Sequence, residues 1–435
     1  MTFPYRQYPP EFGGNSVRPE YQAVSSRSVS IKERTRMTRM RLFGAATLLF
    51  GAGPALAAEV GDTSLDLYGF AMLDTGYQSG QNDPDWFDVL RPTKLPSFED
   101  EFGEDGDWFA SVRQSRLGVK TNTETSLGNL YTVFEFELFG TGVDAGQTTF
   151  RLRHAYGELG AFGAGQTWSP FMDIDVFPNS VEYWGPNGMV FFRNVQLRWM
   201  PIKGDTRLTF ALERPGASAD QGDFADRIEL QNVTTNFPYP DLSGEFRIGD
   251  GATYFEIAGI VRYMEWTDQL DDGIDISGDA IGWGVNLTSN IKLGRSTVRL
   301  AAVYGEGIQN YMNDAPADVG PELTGNPARP LDGVPLPMLG LVAFLDTNWS
   351  ESMSTTIGYS RLDIDTTNGQ SADAFETGEY ALANVMFYPV KNIMFGPEIQ
   401  WGKRHNARDG FTSDDLRVQF TVKYNFGHTF SFGGD

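Results

Sequence analysis

The chain has no cysteine and only three histidines among its 435 residues. Without cysteine, a disulfide scaffold, a thiolate zinc site, an iron–sulfur cluster and a cysteine nucleophile are all excluded. Basic residues are also scarce, since 34 Lys and Arg stand against 57 Asp and Glu, which gives a formal net charge of −23. Nucleic-acid phosphates would repel so acidic a chain, and we therefore expect no nucleic-acid partner.

The few residues suited to catalysis form no recognisable constellation. His154, His405 and His428 lack the spacing of a metal-binding pair, and no serine stands in a G-x-S-x-G motif. The glycine-containing segments 282–284 and 305–307 lie in strand patterns without a following helix, so they do not predict a phosphate-binding loop. We therefore predict that the protein is not an enzyme and requires neither metal nor cofactor.

The first 57 residues have the pattern of an N-terminal extension that ends in a secretory signal peptide. A cluster of four arginines precedes an apolar run from Leu42 to Ala57, which is short for a spanning helix and ends in a small-x-small pattern. We predict cleavage near Ala57 or Ala58. The remaining chain would carry 26 basic and 54 acidic residues, a net charge of −28.

Beyond the leader, apolar and polar residues alternate along most of the chain. A period of two predicts β-strands with one apolar and one polar face. The sixteen segments with this pattern are 64–77, 107–121, 129–139, 148–159, 162–168, 191–201, 205–214, 242–249, 251–267, 277–291, 296–306, 338–349, 353–364, 377–389, 392–404 and 414–426. No run after the leader reaches the roughly 18 apolar residues of a transmembrane helix.

The connectors between these segments alternate in length. Short turns such as 160–161 and 390–391 alternate with long loops such as 78–106 and 169–190. Strands of about ten residues, with turns at one rim and loops at the other, are typical of a bacterial outer-membrane β-barrel. A secreted all-β protein, a sandwich or a solenoid, is the alternative, although the loops of a sandwich need not alternate in length. We predict a single all-β domain, residues 58–435, that forms a sixteen-stranded antiparallel barrel in the outer membrane.

A barrel of this size leaves a water-filled channel whose selectivity depends on the charges that line it. An arginine facing lipid near the membrane midplane would cost about 2–4 kcal/mol, so alternation with apolar neighbours predicts which arginines face the lumen. The arginines placed inside by this rule are Arg116, Arg151, Arg153 and Arg198. Glu135 and Glu137 also turn inward, whereas Arg113 and Arg193 have the wrong parity and lie above the lipid or follow a bulge.

Two interpretations of these charges stay open. Centred hairpins would place Glu135 opposite Arg153. They would also place Glu137 opposite Arg151, and such cross-strand ion pairs could serve only to stabilise the wall. Four arginines against two glutamates nevertheless leave a net charge of +2, which favours an anion-selecting patch.

Loop 169–190 is the strongest candidate for a segment that folds into the lumen. It contains four bulky aromatic residues, more than a loop exposed only to water requires. Its carboxylates, Asp173, Asp175 and Glu182, would then oppose the arginines at a constriction. An extracellular lid or a subunit contact is the alternative role for this loop.

The segment 81–107 is strongly acidic. Its nine carboxylates stand against Arg91 and Lys94. Such a segment could bind divalent cations and bridge to the phosphates of lipopolysaccharide, or it could simply keep the rim of the barrel soluble.

Several motifs resemble those of trimeric outer-membrane porins. Residues 114–120, Gln-Ser-Arg-Leu-Gly-Val-Lys, resemble the second-strand motif of general Gram-negative porins. Residues 151–157, Arg-Leu-Arg-His-Ala-Tyr-Gly, resemble the DcaP-like porins more specifically. The same resemblance extends to 165–169, Gly-Gln-Thr-Trp-Ser, to 171–173 and to 185–188.

The resemblance is best over about 107–200. It implies a sixteen-stranded homotrimer that passes small anionic solutes, dicarboxylates in particular. It also implies that loop 169–190 constricts the pore and that Arg116, Arg151 and Arg153 supply positive charge there. A general porin that is non-selective or weakly cation-selective, in which the loop acids dominate, is the alternative.

The end of the chain departs from the usual porin pattern. Barrels of this kind usually end on an aromatic residue, whereas nine residues follow Phe426. Either Phe430 or Phe432 extends the last strand, or the barrel tolerates a tail.

Overall fold

The computed structural model describes residues 60–433 except 226, 228, 229, 231, 271 and 272. The predicted leader, residues 1–57, lies outside the described residues. Within the described part, most of the chain forms β-strands. None of the helices found there is long and apolar enough to cross a membrane.

The strands of the described chain are numbered in chain order. They are β1 (Val60–Gln78), β2 (Asp107–Ser111), β3 (Arg116–Thr125), β4 (Leu130–Phe139), β5 (Thr148–Leu159), β6 (Phe162–Trp168), β7 (Arg193–Ile202), β8 (Arg207–Glu213), β9 (Val233–Asn236), β10 (Asp241–Gly249), β11 (Tyr254–Asp268), β12 (Gly278–Leu293), β13 (Ser296–Glu306), β14 (Val319–Asn326), β15 (Arg329–Pro335), β16 (Pro337–Ser350), β17 (Met353–Ile364), β18 (Phe375–Phe387), β19 (Ile393–Asn406) and β20 (Thr412–Phe432). Short 3₁₀ turns occur in several of the loops between them.

These strands close into one antiparallel barrel with sixteen wall strands. Strands β2 and β3 both pair with β1 and together count as one wall strand. The ring closes where β1 pairs with β20, from Thr63 opposite Phe432 to Gln78 opposite Arg417. Each of the sixteen predicted segments overlaps one wall strand, so the predicted barrel is confirmed. The last strand extends to Phe432, as one of the alternatives predicted. Strands β9, β14 and β15 lie outside the ring and were not predicted.

The barrel wall is apolar outside and polar inside. In β12, Val285 and Leu287 are about two-fifths exposed on the outer face, whereas Asn286 and Thr288 are buried on the inner face. A soluble protein would show the opposite arrangement, and this one suits a barrel that faces lipid. The alternation of residue types along the sequence is therefore what defines the wall.

One irregularity in the wall lies between β2 and β3. Residues 112–115 stand opposite only three residues of β1, because Ser111 pairs with Asp74 and Arg116 pairs with Phe70. The extra residue reverses the alternation and turns Arg113 inward, where its side chain is buried. Of the two sequence-based alternatives for this arginine, the structure shows the bulge.

A second bulge lies in β5. Glu135 pairs with His154 and Phe136 pairs with Leu152, so Arg153 is an extra residue in its strand. Alternation with Arg151 and Arg153 in the sequence predicts that His154 faces lipid or the membrane interface. This prediction is wrong, because the bulge brings the successive side chains of Arg153 and His154 to the inner face. The His154 ring lies 3.0 Å from the Thr167 hydroxyl and is 9% exposed.

Three long loops fold into the barrel and fill one side of its lumen. We call them loop 1 (79–106), loop 3 (169–192) and loop 6 (307–336). Their apolar side chains, such as Leu90 of loop 1 and Ile308 of loop 6, pack with the inner face of β11–β18 in one buried cluster. The inward fold of loop 3 is confirmed, whereas the inward parts of loops 1 and 6 were not predicted.

Candidate functional site

Glu137 is the centre of a cluster of charges on the inner wall of β3–β5. Its carboxylate accepts hydrogen bonds from Nε of Arg151 at 2.8 Å and Nη1 of Arg153 at 2.7 Å. Arg116 donates from Nη2 at 3.3 Å, and the Tyr183 hydroxyl of loop 3 donates to Oε1. The cluster therefore fixes both the barrel wall and the adjacent part of loop 3.

Glu135 is the second acid of this cluster. Arg153 donates to it from Nε at 2.7 Å, and Arg116 lies 3.6 Å away. The predicted pairing of Glu137 opposite Arg151 is present in the register, whereas the bulge places His154 opposite Glu135 in the backbone. The side chain of Arg153 nevertheless reaches both glutamates.

Arg193 joins the cluster from the first position of β7. Its guanidinium lies 3.8 Å from the nearest oxygen of Glu137 and 4.8 Å from the Trp168 ring centroid. Nη1 is buried and has no hydrogen-bond partner in the described part of the chain. With Arg193 included, four arginines surround two carboxylates, and the formal charge of the cluster is +2.

Arg198 faces the lumen, as predicted, but it is not part of this cluster. Its Nε donates to Oε1 of Gln196 at 3.1 Å, and its Nη2 donates to the backbone oxygen of Trp168. The guanidinium also lies 5.6 Å from the Tyr156 ring centroid. No carboxylate of the described residues lies within ion-pair distance of it.

Asp173 and Asp175 of loop 3 contact a different part of the wall. Asp173 is buried and accepts hydrogen bonds from Arg247, from the Tyr254 hydroxyl at 2.6 Å and from the Thr288 hydroxyl at 2.7 Å. Asp175 pairs with Nη1 of Arg247 at 2.6 Å, and about half of its side chain stays exposed. These two acids attach loop 3 to β10–β12 and do not contact the arginines of β3–β5.

Glu182, the third acid predicted on this loop, is enclosed by the loop itself. Its carboxylate accepts hydrogen bonds from the backbone N–H groups of Leu90 and Gly185. Burial raises the pKa of Glu182 to about 8, so the carboxyl supplies little negative charge near neutral pH. A constriction dominated by this residue is therefore not what the geometry provides.

A second ionic cluster, on β8, β10 and β11, was missed in the sequence. Arg247 contacts Glu256 at 2.6 Å in addition to both loop aspartates. Arg207 lies 3.0 Å from Glu256 and 3.2 Å from Glu245. Two arginines against four carboxylates give this cluster a formal charge of −2.

Two cavities adjoin the wall between β5 and β10. The upper one, about 400 Å³, lies towards the long loops and is lined by Arg91, Arg151 and Arg193 together with aromatic side chains. The lower one, about 290 Å³, lies towards the turn at 203–206 and is lined by Arg198. Two arginines of the cluster, Arg151 and Arg193, thus border the upper cavity, whereas Arg198 and the Arg207–Glu245 pair border the lower one.

The acidic loop 1 uses several of its charges internally. Asp88 pairs with Arg113 at 2.6 Å, and Asp83 lies 3.3 Å from Lys94. Arg91 lies 4.1 Å from the ring centroid of Trp86. In the described part of the chain, no group of three or more potential ligand residues is placed to hold a metal ion.

Comparison with known proteins fits this architecture. Residues 104–248 match the family model described as DcaP outer membrane protein. The outer membrane channel DcaP of Acinetobacter baumannii aligns with a TM-score of 0.69 at 22% identity, over 84% of this chain and 97% of that chain. Residues 104–248 are therefore similar to the DcaP outer membrane proteins, and the described barrel has the fold of the DcaP channel.

Other solved structures share the fold of this barrel. An anion-selective porin from Comamonas acidovorans aligns with a TM-score of 0.51 at 11% identity, covering 84% of this chain and 100% of that one. OmpT of Vibrio cholerae, in its trimer form, aligns at 0.50 with 12% identity, covering 84% and 99%. No curated protein matches the chain.

Proposed function

We propose that this porin allows passive diffusion of small anionic solutes, carboxylates and dicarboxylates in particular, without a cofactor or energy coupling. The observation that carries the proposal is the unsatisfied guanidinium of Arg193. It is buried beside the upper cavity, and its nearest carboxylate oxygen is 3.8 Å away. Nη1 itself is enclosed, but Arg193 lines the cavity and its side chain makes no hydrogen bond with the described residues, so a carboxylate that enters the cavity gains a charge-assisted hydrogen bond from the guanidinium.

The net charge of the surrounding cluster supports the same proposal. Arg116, Arg151, Arg153 and Arg193 are held in place by two glutamates that neutralise only half of their charge. Fixed positive charge at a narrow passage raises the local concentration of anions over distances of about 8 Å at physiological salt. The acidic total of the chain then matters less than the charge of this wall.

A reversal potential measured across a planar bilayer under a KCl gradient tests the proposal. We expect the wild-type channel to favour chloride over potassium, and Arg193→Gln to reduce that preference because it removes one of four charges from the wall. Arg408→Gln is a matched control, since Arg408 is exposed and donates only to backbone oxygens of loop residues. A wild-type preference for potassium would contradict the proposal.

A weakly cation-selective general porin is the second candidate. It is favoured by the cluster around Arg247 and Glu256, whose formal charge is −2. The same recording separates the two functions, because this alternative predicts potassium selectivity that falls in Glu245→Gln.

We further propose that the porin assembles as a homotrimer, with residues 1–57 as the cleaved leader and lipopolysaccharide around its outer rim. Support for the trimer comes from the trimer form of the OmpT fold relative. An unheated sample that migrates as a monomer after mild detergent extraction and crosslinking would argue against the trimer.

A further inference from the structure

Arg198 occupies an unusual position among the arginines of the inner wall. Nine arginines on β3–β13 turn to the lumen: Arg116, Arg151, Arg153, Arg193, Arg198, Arg207, Arg247, Arg262 and Arg299. Eight of them lie within 4.0 Å of a carboxylate oxygen, and Arg198 is the exception in the described part of the chain. Its positive charge is therefore not neutralised locally.

The guanidinium is nevertheless held firmly. The side chain of Gln196, which accepts from Nε of Arg198, is itself fixed by donating to the backbone oxygens of Thr167, Trp168 and Asn194. Neutral acceptors thus orient the cation without cancelling its charge. A cation arranged in this way is preorganised for an anionic ligand and loses little side-chain entropy on binding.

The space in front of Arg198 is separate from the upper cavity. The two cavities share no lining residue. Trp168 lies between them, since it lines the lower cavity while its ring packs 5.1 Å from that of Phe191, which lines the upper one. An anion at Arg198 would therefore occupy a second position, closer to the periplasmic turns than the one at Arg193.

A hydroxyl completes the lower site. Thr209 also lines this cavity, and its side chain has no hydrogen-bond partner among the described residues. Lys203 lies at the rim, although Glu158 pairs with it at 2.6 Å. Arg207 and Glu245 also line this cavity, but they pair with each other at 3.2 Å. The unpaired guanidinium of Arg198 and the free hydroxyl of Thr209, beside a cavity of about 290 Å³, suit a carboxylate group.

From these observations we infer that Arg198 and Thr209 form a second, periplasmic-side binding site for carboxylate solutes. This inference rests on the proposed anion function and adds to it the order in which a solute occupies two sites. A solute leaves the Arg193 site, passes Trp168 and rests at Arg198 before it reaches the periplasm. Two weak sites in series allow binding without trapping, which favours flux over retention.

The test is block of the chloride current by succinate added to one chamber at a time. Because the protein has no cysteine, Ala328→Cys in the extracellular β14–β15 hairpin, labelled from one chamber with a bulky maleimide, identifies the orientation of each channel. In Arg198→Gln, we expect the concentration for half-block from the periplasmic side to rise about tenfold or more, as the loss of one charge-assisted hydrogen bond to an anion implies. Block from the extracellular side should change far less.

Two further variants make the result specific. Thr209→Val preserves side-chain shape, and we expect it to raise the periplasmic half-block concentration about two- to threefold by the loss of one hydroxyl hydrogen bond. Arg295→Gln removes an equal charge from an exposed periplasmic turn, where Arg295 donates to the Trp349 carbonyl. It should leave the block unchanged, and equal effects of Arg295→Gln and Arg198→Gln would show diffuse surface charge instead of a site.

The outcome also separates this inference from the proposed function. A wild-type channel selective for potassium would contradict both the proposed anion function and the second binding site. An anion-selective channel in which neither Arg198→Gln nor Thr209→Val alters the periplasmic block would overturn the second site alone. Each variant is first shown to form the barrel by its heat-dependent shift in electrophoretic mobility.

Discussion

Replacing Glu137 by glutamine should make the channel more anion-selective and at the same time less stable. The carboxylate now neutralises part of an arginine cluster whose formal charge is +2, and its loss raises that charge to +3. One additional unit charge a few ångströms from a solute changes its energy by about 1 kcal/mol even in water. We therefore expect the chloride-to-potassium permeability ratio, obtained from the reversal potential, to rise about fivefold.

The loss of stability has a separate cause. Glu137 accepts hydrogen bonds from three arginines and from Tyr183, and its side chain is fully buried. Removing one partner of a buried ionic group typically costs about 3–5 kcal/mol, because the remaining charges lose their compensation. The temperature at which the folded barrel loses its characteristic gel mobility should fall accordingly.

Glu158→Gln is the matched control for this change. Glu158 lies on the same strand, β5, but pairs with Lys203 at the periplasmic turn. An exposed pair of this kind contributes about 0–1 kcal/mol, so we expect little change in stability. If Glu137→Gln folds but shows the wild-type reversal potential, the arginine cluster does not face the route taken by ions.

The sequence was sufficient to predict the barrel because its wall follows a simple rule. Residues such as Asn286 and Leu287 alternate between lumen and lipid, and this alternation can be read without knowledge of any contact. Arg247, between Phe246 and Ile248, follows the same rule and could have been found in the same way.

The details of the site depend on bulges and on loop packing, which the alternation of polar and apolar residues does not predict. A single extra residue at Arg153 reverses the facing of His154, and no residue type in the sequence marks this bulge. Similarly, Leu90 and Ile308 resemble ordinary apolar loop residues, yet they are buried in the cluster that fills the lumen. Long-range packing of loops determines such positions, and periodicity along one strand contains no information about it.

Glu182 illustrates how the same limit affects chemistry. Its charge suggested a role at a constriction, since an acid on an inward loop normally faces water. The loop instead closes around the carboxylate, which accepts hydrogen bonds from backbone N–H groups of loop 1 and loop 3. The sequence predicted the loop that folds inward but not the direction of its side chains.

Replacing Glu398 by alanine should increase the conductance of the channel, because Glu398 attaches loop 3 to the barrel wall. Glu398, on the inner face of β19, accepts hydrogen bonds from the backbone N–H groups of Val181 and Glu182, both at 3.1 Å. It also accepts from the Ser180 hydroxyl at 3.0 Å. Tyr183, which contacts the arginine cluster, is the next residue along the chain. Loss of the carboxylate should therefore free the part of the loop that borders the positive wall.

The strength of this attachment follows from the number of hydrogen bonds that Glu398 accepts from loop 3. Hydrogen bonds to a charged group contribute about 1.5–3 kcal/mol each, and three of them attach the loop at this point. With Glu398→Ala, we expect single-channel conductance in a planar bilayer to rise about 1.5- to twofold and current fluctuations to increase, because conductance follows the width of the narrowest passage.

Glu376→Ala is the control for this variant. Glu376 lies on β18 and makes no hydrogen bond or ion pair with the described residues, so its loss should leave conductance unchanged. The side-chain amide of Asn179, just before the anchored segment, donates to the hydroxyls of Ser354 at 3.0 Å and Tyr388 at 3.1 Å and so attaches the loop a second time. The double variant Asn179→Ala with Glu398→Ala removes this second attachment. A folded double variant with wild-type conductance would show that loop 3 does not limit the pore.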